Sequence, residues 1–201
     1  MTSQPITTEV RVVAADPAWP SRAEALLTEI VEVLGPAVVH ADHIGSTAIP
    51  GMAAKDVLDL QLSVLDLPIA QTDFDAGLAG LGFVLRPFNH DHVPAGSSDS
   101  PANWGKRAWA RRGHPGGDVN LHVRLVGSPN ERLALLFRDW FRAHPESVPG
   151  YAEFKRVLAG VCPDLGGYTE VKDPVVDLVI GIAEGWAERT GWQPHADSSH
   201  H

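Results

Sequence analysis

A glycine–serine pair and a downstream carboxylate are the residues of this sequence best suited to chemistry. Gly45 and Ser46 follow a predicted strand that ends in His43 and Ile44, and Asp59 lies thirteen residues after Ser46 in another predicted strand. A Gly-Ser turn at a strand end offers backbone N–H groups and a hydroxyl to phosphate oxygens. A carboxylate on a neighbouring strand could hold Mg²⁺ beside those phosphates. On spacing alone, a plain turn and an exposed strand aspartate are an equally good interpretation.

Two segments with an apolar–polar period of two must position these groups. The segment VLDLQLSVL places Asp59 and Gln61 on one face of a strand. The segment VNLHVRLV places Asn120, His122 and Arg124 on one face in the same way. His122 is then either a hydrogen-bonded structural histidine or a general base.

Basic residues form a second group of candidates. Lys55 lies just before the strand that carries the aspartate and is the best single candidate for a phosphate contact. Arg107 and Lys155 are further candidates, and Trp104 or Trp109 could stack on a nucleobase. The alternative is a solvated loop whose tryptophans pack on the body of the domain.

The segment 87–118 differs in character from the rest of the chain. Its length predicts a mobile lid, a hairpin with a long loop, or both. It contains His90-Asp91-His92, whose two imidazoles could converge on a transition metal. No third ligand accompanies this triplet, so the metal hypothesis rests on the triplet alone.

The remaining periodicities predict strands and helices in an irregular order. Strands are predicted at residues 9–14, 37–44, 57–65, 83–86 and 119–126. Helices are predicted at residues 21–34, 70–81, 129–144, 149–159 and 174–190. This order favours an α+β fold with a central mixed sheet and flanking helices over a regular doubly wound parallel sheet. We expect a single domain over residues 1–192, followed by a polar tail, 193–201, that is frayed or a tag remnant.

Composition narrows the class of protein. Of the 201 residues, 44% are hydrophobic and 20% are charged, which is typical of a globular chain that folds without disulfides. One cysteine, Cys162, excludes a disulfide framework and a cysteine-based zinc site. No signal peptide or apolar run of ~20 residues is evident, so a cytoplasmic location is expected. The net charge of −9 argues against nucleic acid and anionic membranes as partners.

Several segments, in a fixed order, resemble the GrpB family of bacterial proteins. They are VRVVAADPAWP, DHIGSTAIPGMAAKDVLDLQLSV, NLHV, GSP, LLFRDWFRAHP and YAEFKRVLA, and they cover most of the chain. The resemblance is greatest to the GrpB-like domain appended to dephospho-CoA kinase in many actinobacteria, which has similar DHIGST and LLFRDW strings. A Walker-type GxxxxGK(S/T) motif is missing from this sequence, so the kinase half of those proteins is not expected here.

The GrpB family is grouped with the nucleotidyltransferase superfamily, the fold of DNA polymerase beta. The resemblance implies that Gly45 and Ser46 hold phosphate and that Asp59 is the first of three acids, two of which bind Mg²⁺. Gln61 and His122 stand at the other two acid positions. Because Mg²⁺ prefers carboxylate oxygen, three options remain: a one-metal enzyme, an enzyme with His122 as general base, or a nucleotide-binding relic.

These expectations combine into one predicted function. The chain is expected to be an NTP-dependent, nucleotidyltransferase-like enzyme that uses ATP or another NTP with Mg²⁺ and activates or ligates a small-molecule acceptor. Asp59 would hold the metal, Gln61 its water or the sugar, and His122 would take the acceptor's proton. The predicted nucleotide-binding residues are His43, Gly45, Ser46, Thr47, Lys55, Arg107, Arg124 and Lys155. The alternative is a non-catalytic domain that binds a nucleotide or coenzyme A-like ligand and supports the folding or regulation of a partner, which the incomplete acid set favours.

Overall fold

The computed structural model describes residues 10–162 and 164–196. Its strands are β1 (His40–Ile44), β2 (Val57–Val64), β3 (Val84–Arg86), β4 (Lys106–Arg111) and β5 (Asp118–Leu125). Its α-helices are α1 (Trp19–Leu34), α2 (Leu67–Gly80), α3 (Pro129–Ala143), α4 (Val148–Val161) and α5 (Leu165–Thr190). Short 3-10 turns connect several of these elements.

The strands form one mixed sheet in the order β1-β2-β5-β4-β3. The central strands β2 and β5 are parallel, with Asp59 opposite Asn120 and Gln61 opposite His122. The other three neighbouring pairs are antiparallel. The predicted mixed sheet with flanking helices is therefore confirmed.

The two faces of the sheet have different chemistry because side chains alternate along each strand. One face is apolar, carries Leu60 and Leu121, and packs against α1 and α2 with Trp19 and Phe74 in a shared core. The opposite face is polar and lies towards α3, whose own core continues into α4 and α5. The helices α3, α4 and α5 therefore form a second layer over the polar face, and a site can form between this layer and the sheet.

Strand β4 is the main element that the sequence pattern does not predict. It lies inside the segment 87–118 and pairs with both β3 and β5, so the hairpin with a long loop is the alternative that the structure bears out. Both faces of β4 are covered, and its buried residues include Lys106 and Arg111. Because these two basic residues occupy buried positions, the sequence of β4 lacks the apolar–polar alternation from which a strand is predicted.

Two other predicted boundaries are wrong. The strand predicted at residues 9–14 is reduced to an isolated bridge between Val13 and Ala54, and Glu9 lies outside the described residues. Helix α5 begins at Leu165 instead of 174, because the Asp164 carboxylate accepts a hydrogen bond from Gly167 N and caps the helix there. Pro174 lies inside this helix.

Residues 193–196 of the predicted polar tail lie beside β1. The His195 ring stacks on the His40 ring with centroids 3.8 Å apart, and its Nε2 lies 3.8 Å from Asp42 Oδ2. The segment 197–201 lies outside the described residues.

Among the helices that the structure describes, none combines the length and the apolar character needed to cross a membrane.

Candidate functional site

A cavity of about 510 Å³ lies between the polar face of the sheet and the helices α3, α4 and α5. Many of the predicted site residues line it together although they come from distant parts of the chain. Those lining the cavity are Gly45, Ser46, Thr47, Lys55, Asp59, His122, Arg124 and Lys155. We call this the site cavity.

The turn after β1 brings the backbone against the Asp59 carboxylate. Gly45 has a φ of +69°, a conformation that favours glycine. A Cβ atom at Gly45 would lie 2.7 Å from Asp59 Oδ2. Glycine is therefore required here for two reasons, backbone conformation and close approach.

Asp59 is an ionised carboxylate at the wall of the site cavity. Its side chain is 34% exposed, its Oδ1 accepts a 2.7 Å hydrogen bond from Asn120 Nδ2, and His122 Nε2 lies 3.8 Å away. Burial by itself raises the pKa of Asp59, but His122, Asn120 and the Lys55 ammonium outweigh it and lower the pKa to about 2. The group is negatively charged at neutral pH and can bind a cation.

His122 lines the site cavity next to Asp59. Burial is the largest effect on its pKa and lowers it below the ordinary 6.5, so the imidazole is neutral at pH 7. Its Nδ1 is buried and has no hydrogen-bond partner among the described residues. The imidazole therefore has one unpaired nitrogen that is shielded from solvent, while its Nε2 faces Asp59.

Lys155 and Ser46 form a direct contact between α4 and the turn after β1. Lys155 Nζ donates a 2.7 Å hydrogen bond to Ser46 Oγ and lies 5.1 Å from the centre of the Tyr151 ring. Lys155 is only 2% exposed. Burial first, and then the nearby ammonium groups of Lys172 and Lys55, lower the pKa of Lys155 to about 7. A large fraction of this side chain is therefore uncharged at neutral pH.

The Lys55 ammonium completes the basic part of the site cavity. Its Nζ lies 5.4 Å from the centre of the Tyr168 ring. Burial lowers the pKa of Lys55 below the ordinary value, while Asp59 acts in the opposite direction. Lys55 thus offers the site cavity a half-buried amine that an anionic ligand would stabilise in its charged form.

Replacing Lys155 by methionine is expected to raise thermal stability at pH 7 and to weaken its pH dependence between pH 7 and 9.5. The pKa of Lys155 is about 7 in the folded protein against 10.5 ordinarily, so the unfolded chain binds more protons in this interval and wild-type stability rises with pH. Above pH 10 the raised pKa values of Tyr151 and Tyr168 act in the opposite sense.

Thermal unfolding of the two proteins at half-unit pH steps tests this prediction. The control is Arg189→Met, which removes an exposed positive charge from α5 and should leave the slope unchanged. A Lys155→Met variant with the wild-type slope would contradict the assignment of a neutral amine at this position.

Three predicted site residues lie outside the lining of the site cavity. His43 Nε2 lies 2.8 Å from Thr47 Oγ1 and supports the turn from behind. Gln61 is fully buried, and its Oε1 accepts a hydrogen bond from Arg124 Nη1, so this oxygen already has a partner. Arg107 lies on the opposite face of the sheet from Arg124, because it pairs with Val123 instead.

The side chain next to Arg107, that of Lys106, lies in the site cavity instead. Lys106 pairs with Arg124 across the β4–β5 ladder and shares its face. Because side chains alternate along β4, Lys106 lies on the cavity face, where Arg107 was predicted, and Arg107 lies on the other face. Trp104 also lines the site cavity, whereas Trp109 packs in the core on the apolar face and donates a hydrogen bond to Asp75.

Asp91 is the site residue that sequence reasoning assigned to a different role. Its carboxylate accepts hydrogen bonds from Lys106 Nζ at 2.5 Å, Arg124 Nε at 2.8 Å and Asn130 Nδ2 at 2.9 Å. Burial alone raises the pKa of Asp91, but the two cations hold it well below its usual range. No signal in the sequence indicates these partners, since all three lie in other elements.

The histidines that flank Asp91 do not support the metal hypothesis for the triplet. His90 Nδ1 contacts Asn89 Oδ1, and His92 Nε2 lies 3.1 Å from Asp177 Oδ2. Across residues 10–162 and 164–196 there is no group of three His, Cys, Asp or Glu side chains placed to hold a metal ion.

The sequence features at this site match a known family. The family model described as GrpB protein matches residues 9–181. The chain belongs to the GrpB family. The GrpB resemblance seen in the sequence motifs is therefore confirmed.

Relatives within this group carry two kinds of name. A protein named dephospho-CoA kinase from Mycolicibacterium paratuberculosis is 35% identical over 199 residues, which is 92% of this chain and 48% of the relative. The UPF0157 protein PA4798 of Pseudomonas aeruginosa is 34% identical over 180 residues, 87% of this chain and 67% of the relative. This chain spans about half the length of the dephospho-CoA kinase relatives.

A solved structure has the same fold. The crystal structure of the conserved protein GrpB from Enterococcus faecalis superposes with a TM-score of 0.71 at 23% identity. The match covers 88% of this chain and 99% of that chain. At this identity the likeness concerns the fold and not the ligand.

Proposed function

We propose that the site cavity binds a nucleoside triphosphate, ATP or another NTP, for nucleotidyl transfer or adenylation of a small-molecule acceptor. The observation that carries this proposal is the convergence of Ser46, Lys155, Lys55 and Asp59 in one cavity. Buried amines next to a serine hydroxyl favour a polyanionic ligand such as a triphosphate. The similarity to proteins named dephospho-CoA kinase supports a nucleotide- or coenzyme A-related ligand.

The topology around the turn supports a nucleotidyltransferase-like arrangement. Strand β1 ends at Ile44, the Gly-Ser turn follows, and the antiparallel neighbour β2 carries Asp59 opposite Ile44. Phosphate groups bound at the turn would therefore lie beside the carboxylate. The acceptor would enter from the side of Trp104 and the 87–105 connection, which borders the same cavity.

The residues present do not fit a two-metal centre. Gln61 is neutral and hydrogen-bonded to Arg124, and Asp91 is neutralised by Lys106 and Arg124. One Mg²⁺ that arrives on the nucleotide's phosphates does fit, with Asp59 as its protein carboxylate ligand, and it would neutralise phosphate charge. In this proposal the protein's own residues supply the remaining functions.

Each of these residues has one function in the proposed reaction. Lys55 neutralises phosphate oxygens, Ser46 fixes their position next to the carboxylate of Asp59, and Lys155 holds Ser46 through their hydrogen bond. His122, neutral at pH 7, takes the proton of the acceptor's hydroxyl or amine as it attacks the nucleotide's phosphorus. Gln61 positions Arg124 from beneath the site.

Thermal unfolding with a panel of ligands tests the binding step. ATP, GTP, CTP, UTP, dephospho-CoA and coenzyme A are each added with Mg²⁺ or with EDTA. We expect one NTP to raise Tm by roughly 5 °C or more at about 100 times its Kd, with the larger shift in Mg²⁺. Asp59→Asn should remove the effect of Mg²⁺, whereas Asp73→Asn, an exposed carboxylate on α2, should not.

The outcomes of this experiment separate the possibilities. If no NTP shifts Tm and Asp59→Asn behaves as wild type, the proposed function is wrong. If a nucleotide or coenzyme A-like ligand binds but no pyrophosphate is released with any acceptor, the second candidate holds: a non-catalytic binding domain. The single carboxylate among Asp59, Gln61 and His122 favours that candidate.

A further inference from the structure

The contact between Ser46 and Lys155 has the geometry of a nucleophile and its base. Ser46 Oγ lies 2.7 Å from Lys155 Nζ, within the distance at which a hydroxyl proton can pass to an amine. The two residues are 109 positions apart, and both line the site cavity. An exposed lysine could not serve in this way because it would be protonated at neutral pH.

Four charged groups act on the Lys155 amine, and three of them favour its neutral form. The groups that act on its charge are Lys172 of α5, Asp59 of β2, Lys55 before β2 and Arg156 of α4. Three of these four are cations, and the aromatic ring of Tyr151 packs beside the amine. Burial and the neighbouring positive charges therefore oppose protonation, and Asp59 favours it.

We infer that Ser46 is a nucleophile, activated by Lys155, that accepts the nucleotidyl group of the bound NTP before this group passes to the acceptor. This inference rests on the proposed function and adds a covalent intermediate to it. Ser46 is then a catalytic residue rather than only a phosphate contact.

The first step forms one bond and breaks one. Ser46 Oγ attacks the α-phosphorus, the bond from that phosphorus to the bridging oxygen of the β-phosphate breaks, and pyrophosphate leaves. The hydroxyl proton passes to the neutral Lys155 amine. The product is a nucleoside monophosphate joined to Ser46 Oγ by a phosphodiester bond.

The second step regenerates the serine. The acceptor's hydroxyl or amine attacks the same phosphorus and loses its proton to His122. The bond between phosphorus and Ser46 Oγ breaks, and Lys155 returns its proton to that oxygen. The two bases thus have separate functions, and the buried Lys155 and the half-buried His122 both line the cavity.

Intact mass measurement of the full chain with each NTP and Mg²⁺, without an acceptor, tests the inference. We expect a mass increase of one nucleoside monophosphate, located on Ser46 by peptide mapping, that is formed faster as pH rises through 7. Exchange of labelled pyrophosphate into the NTP detects the intermediate even where little of it accumulates.

Variants separate the covalent step from binding. Ser46→Ala should abolish the adduct and the exchange, and Lys155→Met should slow the exchange by about 10²–10⁴-fold. Thr169→Val removes another hydroxyl at the cavity wall and should leave both unchanged. Nucleotide-induced stabilisation without adduct or exchange would overturn the inference and leave the proposed function intact. An adduct on another residue would also overturn it, and the lack of any nucleotide-induced shift would overturn both.

Discussion

Replacing Asp91 by alanine is expected to destabilise the folded protein by about 3–5 kcal/mol. The carboxylate is the shared partner of Lys106 and Arg124, whose side chains are 11% and 8% exposed. Its removal leaves two buried cations without their counter-ion, and a buried unpaired charge is among the most costly defects in a fold. Urea unfolding at pH 7, followed by circular dichroism, measures the loss.

A matched control lies in the same connection between β3 and β4. Asp99 is exposed, so Asp99→Ala should change stability by less than about 0.5 kcal/mol. Adding Lys106→Met and Arg124→Met to the Asp91→Ala variant should recover part of the loss, because the unpaired charges are then removed. An Asp91→Ala variant that stays within 1 kcal/mol of wild type would contradict the buried ion cluster.

The same cluster has a consequence at low pH. The folded pKa of Asp91 lies below its ordinary value, so its stabilising contribution is present above about pH 4 and is lost as the pH falls below it. Wild-type stability should decline in acid more steeply than that of the Asp91→Ala variant.

Replacing Gly45 by alanine is expected to abolish nucleotide-induced stabilisation and to cost about 1–3 kcal/mol of folding free energy. The new Cβ would lie 2.7 Å from Asp59 Oδ2, so the carboxylate or the turn must move. The Asp59 carboxylate and the turn are the two groups that contact the ligand in the proposed function. Thermal unfolding with and without the stabilising NTP measures both effects.

Gly51 provides the control for backbone strain alone. Its φ is +74°, close to the +69° of Gly45, but a Cβ there would meet only Val148 Cγ1 at 4.0 Å. Gly51→Ala should therefore show the strain without loss of ligand binding. Equal behaviour of the two variants would show that the contact with Asp59 has no functional importance.

The sequence predicts the sheet well where one face is apolar and the other polar. The alternation in β2 and β5 correctly placed Asp59, His122 and Arg124 on one face. The same principle fails in β4, where basic side chains are buried on both faces. The residue types there do not indicate which side chains lie on which face of the sheet. The sequence therefore does not show that Lys106, and not Arg107, lies on the face of Arg124.

Contacts between distant segments account for what the sequence does not predict. Asp91 lies in a long connection, and its partners come from β4, β5 and α3. The contact of Lys155 with Ser46 likewise depends on how α4 packs, which no local pattern specifies. The residue types at these positions were available from the sequence, but their pairing was not.

The parallel pairing of β2 with β5 also determines when this protein can fold during its synthesis. The contact between Asp59 and Asn120 joins residues 61 positions apart, and Lys155 reaches Ser46 from further along the chain. A nascent chain that has emerged only as far as β2 has one edge of that strand unpaired, and such an edge favours association with other chains. Closing a loop of this length is a slow step in folding. The ribosome must therefore release α4 before the site can assemble, so the proposed ligand can stabilise the chain only after α4 has been synthesised.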